Sequence, residues 1–337
     1  MAKVTVLMPT YNVAPYLKEA VESVLRQSYS DFDLLIIDDC STDNTISVAQ
    51  SIHDPRIRIV QNEHNLGLAD NLNRGLSLID TELVARMDGD DIAEPHWLQS
   101  EVAVLDAHPE IGICGGGFER FGTMQTVVRL PEKPEEILTN MLFECSIIVP
   151  TFRMNLYRDH NLRYRSDAFP VEDYRFWADC LRVTQAYNIQ DTLFHYRMHP
   201  KQICSSLREK QQEKVNEVRH YMLNLFGDGL SDNDRNYFIG EFINGEIKNR
   251  ADLQSRYDFI DKLVRINQSN HFFDEDALYR MLRNHVRVNM YNTVLARFFS
   301  EGYTLRAYMQ YIASDISFKT LPRLEAKMLF KSLLHRK

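Results

Sequence analysis

The sequence predicts an α/β fold, in which a mostly parallel sheet is flanked by helices and followed by an all-helical C-terminal region. Three observations lead to this prediction. Short apolar runs alternate with segments of helical periodicity over residues 4–118, a pattern typical of parallel strands joined by crossover helices. From about residue 205 the strand signals stop and helical periodicity continues alone. The length of 337 residues exceeds one typical domain, so we predict domains at 1–205 and 206–337.

Five strands and four helices are predicted before residue 120. The segment VTVLMP, residues 4–9, is short and apolar and ends in Pro9, as buried strands often do. Residues 14–25 repeat apolar side chains at helical spacing and should form the first helix. The two patterns then alternate, which predicts strands at 32–39, 56–60, 82–88 and 111–118 and helices at 45–52, 67–79 and 95–108.

The C-terminal region is predicted to be helical because charged and aromatic residues mix there at helical spacing. Its three strongest segments are 206–226, 253–267 and 276–299. No apolar run approaches the roughly 20 residues that a membrane helix needs, and the N-terminal segment lacks the pattern of a signal peptide. Five scattered cysteines without a CxxC motif fit a reducing cytoplasm, with neither a disulfide framework nor a structural zinc site.

Charge is distributed unevenly along the chain. The net charge of −8 argues against general nucleic-acid binding. Residues 1–204 hold 18 Lys and Arg against 30 Asp and Glu, a net of −12, and residues 205–337 hold 21 against 17, a net of +4. Within the tail, residues 318–337 place basic side chains every four positions. A helix there would either lie on an anionic membrane surface or pack on other helices or on a second subunit of a homo-oligomer.

Polar clusters follow four of the predicted strands. They read PTYN, DDCSTD, NEHNLG and DGDD, and the carboxyl ends of parallel strands are where such sheets bind ligands. In the last cluster Asp88 and Asp90 lie two positions apart. Carboxylates at this spacing suit Mg²⁺ or Mn²⁺, which keep positions open for phosphate oxygens. The alternative is a solvated turn or a helix cap.

Six motifs occur in order along the chain, and they read MPTYN, IIDDCSTDNT, NEHNLGLADNLNRGL, VARMDGDD, VEDYRFW and YRMHPKQICS. Together they resemble the family 2 glycosyltransferases over about residues 3–205. The resemblance implies a GT-A fold, a nucleotide-sugar donor, inversion at the sugar carbon and a Mn²⁺ or Mg²⁺ cofactor.

The resemblance implies a donor pocket at the first, second and fourth strand ends. The base and ribose would be lined by Pro9, Thr10 and Tyr11. Asp39 would accept a hydrogen bond from the nucleobase, and Asp88 would contact the ribose. One departure from the family pattern is Leu72, which stands where many members have an arginine. Arg74 or Arg86 would then supply the charge.

The resemblance also implies a metal ligand and a catalytic base. Asp90 would ligate the metal that bridges the diphosphate, and His199 lies where members carry a histidine near the diphosphate or metal. Asp173 resembles the family's base, and a helix over 173–183 would place it in the first turn. The alternative for Asp173 is that it only caps this helix. A second departure is Val149, which replaces a histidine in the acceptor-side segment.

These motifs predict an inverting, metal-dependent glycosyltransferase of the hexosyltransferase type. We expect it to move a sugar from a nucleoside diphosphate donor, with UDP-sugar favoured, to a saccharide or lipid-linked saccharide in polysaccharide biosynthesis. We expect a cytoplasmic location, with or without peripheral contact at the inner membrane face. A non-catalytic nucleotide-sugar-binding or scaffold protein of the same fold is the alternative. A nucleotidyltransferase would carry a glycine-rich basic loop after the first strand, which PTYNVAP lacks.

Overall fold

The computed structural model describes residues 2–199, 207–300, 302 and 304–313. The chain folds as two compact units, the first ending at Met222 and the second beginning at Leu223. The boundary that we predicted after residue 205 lies before the helix Arg208–Leu223, whereas the observed boundary lies at the end of that helix. That helix is tied to the first unit because Arg219 donates a 2.9 Å hydrogen bond from Nε to the carbonyl of Phe143.

One sheet of nine described strands forms the centre of the first unit. Its order is β3-β2-β1-β4-β8-β6-β9-β5, with β7 paired to β6. The strands are β1 (Val4–Thr10), β2 (Phe32–Asp38), β3 (Ile57–Gln61), β4 (Leu83–Arg86), β5 (Ile92–Ala93), β6 (Ile111–Gly122), β7 (Thr126–Val128), β8 (Thr151–Arg153) and β9 (Gln185–Met198).

The predicted α/β architecture is confirmed, and its parallel part is the block β3-β2-β1-β4. Every residue of β1 is buried, as expected for a parallel strand covered on both faces. The strand β8 adds antiparallel pairs to this block, because it runs against both β4 and β6. The strand β9 lies parallel to β6. The result is a mixed sheet whose parallel strands end at one common edge.

Helices cover the sheet and connect its strands. The first helix has the bounds predicted from periodicity, Ala14–Leu25, and its buried stripe includes Leu17, Val21 and Val24. The helices of this unit are α1 (Ala14–Leu25), α2 (Thr45–Ser51), α3 (Leu68–Ser77), α4 (Trp97–Ala107), α5 (Pro134–Asn140), α6 (Asn155–Arg158), α7 (Glu172–Cys180) and α8 (Arg208–Leu223).

The three consecutive glycines 115–117 lie inside β6 and pack against β9. A Cβ atom at Gly117 would lie 2.9 Å from the carbonyl oxygen of Asp191, and one at Gly116 would lie 2.4 Å from Leu193 Cδ1. The register between the two strands also shifts at this point. These glycines therefore allow close strand packing, and β6 is not followed by the helix that a phosphate-binding loop requires.

The second unit is helical where the structure describes it, which confirms the predicted helical region. The longest helices begin at side-chain caps, since Asn249 accepts from the Asp252 N–H and Asp274 from the Ala277 N–H. Phe238, Phe242 and Phe259 pack together in its core. The elements are α9 (Asp232–Tyr237), a π-helical turn (Phe238–Ile243), α10 (Arg250–Asn270), α11 (Glu275–Phe298) and α12 (Leu305–Ile312).

Two sequence expectations concern membranes. In the described residues no helix combines the length and the apolar character needed to cross a bilayer. The predicted basic helix at 318–337 falls outside the described residues. Its two alternatives, a membrane surface or packing within the protein, therefore stay predictions.

Candidate active site

The loop after β1 presents an aromatic side chain at the carboxyl edge of the sheet. Pro9 and Thr10 are buried, whereas Tyr11 is 49% exposed. Thr10 Oγ1 donates to Asp38 Oδ1 over 3.1 Å, which joins the ends of β1 and β2. Asn12 adopts a left-handed φ of 53° and fixes the next loop by accepting from the Thr42 N–H at 2.9 Å. The predicted contacts of Pro9, Thr10 and Tyr11 with a base and ribose stay predictions.

Asp39 organises the loop that follows β3. It is 3% exposed, and its Oδ1 accepts from Asn62 Nδ2 at 2.7 Å and from the Leu66 N–H at 2.8 Å. Its Oδ2 accepts from the Gly67 N–H at 2.9 Å, and the φ of 84° at Gly67 favours glycine there. A carboxylate accepts about four hydrogen bonds, so one acceptor position remains for the predicted contact with a nucleobase.

Asp88 pairs with Arg86, the last residue of β4. Arg86 is 9% exposed, and its Nη2 lies 2.9 Å from Asp88 Oδ1. Burial raises the pKa of Asp88 to about 6, Arg86 opposes the rise, and the charges of Asp90 and Asp173 add to it. The structure thus brings Asp88 into a group of carboxyl side chains that includes the predicted base.

Asp90 and His199 lie together on neighbouring loops. The distance from His199 Nε2 to Asp90 Oδ2 is 3.1 Å, and the His199 ring centroid is 4.8 Å from that of Tyr16. Two ligands of one octahedral cation lie about 3 Å apart, so this carboxylate and imidazole fit a shared Mn²⁺ or Mg²⁺. No group of three or more Asp, Glu, His or Cys side chains suited to a metal occurs among the described residues. Such a cation would therefore depend on phosphate oxygens and water for its other ligands.

Arg197 fastens the DGDD loop to β9. Its Nε donates to the Asp90 carbonyl at 2.7 Å, and its backbone N–H donates to Asp91 Oδ1 at 2.9 Å. Its Nη2 reaches Glu19 at 2.6 Å. Asp91 is fully buried. Arg197 is two residues before His199 and also bonds to the Asp90 carbonyl, so it positions both members of the Asp90–His199 pair.

Asp173 occupies the first turn of α7, as predicted. Its Oδ1 accepts from the Tyr174 N–H at 2.6 Å. Burial raises the pKa of Asp173, and the Arg86 charge opposes that rise. The neighbouring Glu172 is 4% exposed, and burial together with the Asp173 charge raises its pKa to about 7. The base candidate is therefore partly buried, and a buried acid, Glu172, precedes it.

Three residues of this site were missed or underrated by reasoning from the sequence. Glu172 lies next to Asp173 in the motif VEDYRFW, and Arg197 lies two residues before His199 in YRMHPKQICS. That closeness in sequence could have identified both residues. Tyr164 left no sequence signal. Tyr164 is 3% exposed and stacks on Phe176 with 4.0 Å between the ring centroids. Burial raises the pKa of Tyr164, and the positive charge of Arg86 opposes that rise.

Comparison with known sequences places the chain among glycosyltransferases. The family model described as Glycosyl transferase family 2 matches residues 5–169. An uncharacterized glycosyltransferase of Haemophilus influenzae is 32% identical over 243 residues, 66% of this chain and 75% of the relative. The putative glycosyltransferase EpsE of Bacillus subtilis is 34% identical over 205 residues, 58% of this chain and 73% of the relative.

Solved structures share the fold at low sequence identity. Residues 1–349 of S. aureus TarS, solved in complex with UDP-GlcNAc, superpose with a TM-score of 0.59 at 19% identity, covering 85% of this chain and 91% of that chain. The mannosyltransferase PcManGT from Pyrobaculum calidifontis, in complex with GDP-Man and Mn²⁺, gives a TM-score of 0.53 at 16% identity and covers 88% of each chain. These similarities concern the fold alone, and they confirm the expected GT-A type.

Sequence similarity decides the family, and the fold is compatible with it. The family model covers the strands whose ends carry the polar clusters. Two relatives above 30% identity are matched over about three quarters of their length. The fold is that of solved glycosyltransferases. The chain therefore belongs to glycosyl transferase family 2.

Proposed function

We propose that this chain is an inverting glycosyltransferase that uses a nucleoside diphosphate sugar, with UDP-sugar favoured, and a divalent cation. One observation carries the proposal: His199 Nε2 lies 3.1 Å from Asp90 Oδ2, so a carboxylate from the loop after β4 and an imidazole that follows β9 lie together. The candidate metal ligands, which are far apart in the sequence, thus form one pair, and Asp90 is two residues from the candidate donor-binding acid Asp88. The TarS structure in complex with UDP-GlcNAc supports a uridine donor.

In this mechanism Asp173 takes the proton of the acceptor hydroxyl as its oxygen attacks C1 of the sugar. The new C1–O bond forms while the bond from C1 to the diphosphate oxygen breaks, and the nucleoside diphosphate leaves with that electron pair. Attack opposite to the leaving group inverts C1. A base acts best when its pKa lies near the working pH, and the raised pKa of Asp173 suits this role.

The leaving diphosphate gathers negative charge that needs compensation. Asp90 and His199 would hold the cation, which supplies positive charge to the phosphate oxygens. Arg197 keeps the Asp90 loop in place through the Asp90 carbonyl. We propose a saccharide or lipid-linked saccharide as the acceptor, with polysaccharide assembly at the cytoplasmic face of the membrane as the setting.

The substitution Asp173→Asn tests the base. It preserves shape and removes basicity, so we expect the transfer rate to fall by roughly 10² to 10⁴ while donor affinity stays almost unchanged. NMR of the product formed by the native protein should show inversion at C1. Asp179→Asn is the matched control, because Asp179 lies on the same helix and pairs with Arg175 at 3.1 Å. Retention at C1, or full activity in Asp173→Asn, would overturn this mechanism.

A single-turnover measurement distinguishes a transferase from a non-catalytic binding or scaffold protein. A binding or scaffold protein would be stabilised by the donor nucleotide and would release no nucleoside diphosphate. A transferase should release one equivalent for each sugar transferred. Release in the native protein, and its loss in Asp173→Asn, would exclude the scaffold role.

A further inference from the structure

The strand β5, which follows the DGDD loop, is joined to the sheet by a short ladder. It spans only Ile92 and Ala93, lies last in the sheet order, and pairs with β9 alone among the described strands. One more backbone bond, from the Glu94 N–H to the Leu193 carbonyl at 2.8 Å, extends this pairing. So few backbone bonds hold a strand weakly, so side-chain contacts with β9 help to determine where the loop lies.

His195 of β9 makes side-chain contacts in both directions across the sheet. Its Nε2 lies 2.6 Å from Glu94 Oε1, just after β5, and its Nδ1 lies 3.2 Å from Glu119 Oε2 of β6. In the strand register, His195 stands opposite Ile92 on one side and Glu119 on the other. A protonated imidazole donates from both ring nitrogens, so one ring can bond to both carboxylates. His195 therefore joins β5 to β6 across β9.

The contact between His195 and Glu94 connects the same two chain segments that carry the candidate metal ligands. Glu94 is four residues after Asp90 (94 − 90), and His195 is four residues before His199 (199 − 195). The two segments run antiparallel, and the 3.1 Å contact between His199 Nε2 and Asp90 Oδ2 joins them a second time. A shift of one segment along the other would separate the carboxylate of Asp90 from the imidazole of His199.

We propose that His195 is a positioning residue that holds the Asp90–His199 pair at the spacing a divalent cation needs. The proposal rests on the proposed function, in which that pair binds the cation. His195 acts through its contact with Glu94, while Glu119 orients the ring from the opposite side. Loss of the imidazole should therefore weaken cation binding although both ligands remain in place.

The test is the Kd for Mn²⁺ in the native protein and in His195→Phe, measured with and without UDP from the EPR signal of the free ion. Phenylalanine keeps a planar ring and removes both contacts, so we expect the Kd to rise roughly threefold to tenfold. The Kd for UDP in EDTA should stay unchanged. With saturating Mn²⁺, kcat should change by less than about twofold, because excess metal compensates for weaker binding. Melting temperatures show which variants fold.

Further variants separate this contact from general support of the fold. Glu94→Gln can still hydrogen-bond to the ring, so its Kd for Mn²⁺ should stay near the native value. Glu94→Leu should weaken binding as His195→Phe does, and the double variant should add little, because both changes remove one contact. The matched control is His108→Phe, which removes a 3.2 Å contact with Glu110 at the opposite end of β6 and should leave the Kd unchanged.

Two results would overturn the proposal. A native Kd for Mn²⁺ in His195→Phe, with a lower melting temperature, would mean that His195 only supports the fold. Losses that add up in the double variant would mean that His195 and Glu94 act separately. Asp90→Ala distinguishes failure of the proposed function. If it binds Mn²⁺ as the native protein does, the metal assignment is wrong and His195 has no pair to position; if it loses binding while His195→Phe keeps it, only the role of His195 is wrong.

Discussion

At the scale of single residues, burial decides how readily the acids of this site hold a proton. The pKa of Asp88 rises to about 6 and that of Glu172 to about 7, both mainly because burial disfavours the charged form. Asp39 serves the fold instead, because three hydrogen-bond donors bind its oxygens and fix the loop after β3. Aspartate thus organises a loop at one strand end, whereas at another it pairs with Arg86.

The raised pKa of Glu172 predicts a stability that falls as pH rises. Between its ordinary pKa of 4.5 and the folded value of about 7, the folded state binds more protons than the unfolded state, so rising pH favours unfolding. Glu172→Gln removes this penalty. We expect a gain in unfolding free energy on the order of 2–3 kcal/mol at pH 8 that drops below about 1 kcal/mol at pH 5.

Urea unfolding at both pH values measures this effect. Glu213→Gln on the exposed side of α8 is the control, and it should change stability by little at either pH. A gain for Glu172→Gln that is the same at pH 5 and pH 8 would show that the benefit comes from packing and not from ionisation.

At the scale of elements, strand register brings the polar clusters together. Thr10 and Asp38 are direct partners in the parallel pair β1–β2, and Leu7 of β1 lies opposite Arg86 of β4. Parallel strands in register end at one edge, so residues just beyond each strand must share that edge. The loops add their own bonds across it, such as the 2.9 Å bond from the Asn12 N–H to Ser41 Oγ.

The close approach of β6 to β9 predicts a large effect for a single methyl group. Gly117→Ala would place its Cβ 2.9 Å from the Asp191 carbonyl oxygen, a backbone atom that cannot rotate away. We expect a loss of about 1–3 kcal/mol in unfolding free energy. Gly240→Ala is the control, because no atom lies within 4 Å of the added Cβ and alanine is the better helix former. Equal effects of the two changes in denaturant unfolding would contradict the packing argument.

At the scale of the whole molecule, the candidate site belongs entirely to the first compact unit. The predicted donor residues, the metal candidates and the base all precede Met222. The helical unit therefore contributes none of the site residues named here. Its core of phenylalanines and its capped helices show that it has a packed interior of its own.

Binding of nucleotide and metal should stabilise the protein in a cooperative way. A ligand at 100 times its Kd adds about 2.7 kcal/mol, so UDP with Mn²⁺ should raise the melting temperature by several degrees. Asp90→Ala should remove the part of this shift that depends on Mn²⁺, and EDTA should abolish transfer. Asp106→Ala, which removes an exposed acid paired with Lys3, serves as the control. Full transfer activity in EDTA-treated protein would refute the metal assignment.

The sequence by itself determined the elements that depend on neighbouring residues. Strand signals of five to eight residues marked β1 to β3, and helical spacing gave the bounds of α1, because both signals are local. The strands β8 and β5 span three and two residues, which is too short to show a repeating pattern of apolar residues. β9 was not predicted, since charged and polar residues interrupt its 14 positions.

Only the tertiary structure decided which side chains share the site. The motifs named Asp88, Asp90 and Asp173, but Asp88 and Asp173 are 85 positions apart in the sequence (173 − 88). Their effect on each other, the buried Arg86 between acids, and the neighbouring Tyr164 all depend on distance and burial in the folded chain. Local sequence patterns report the propensities of adjacent residues, whereas proton affinity is set by the charges and solvent that folding places around a group.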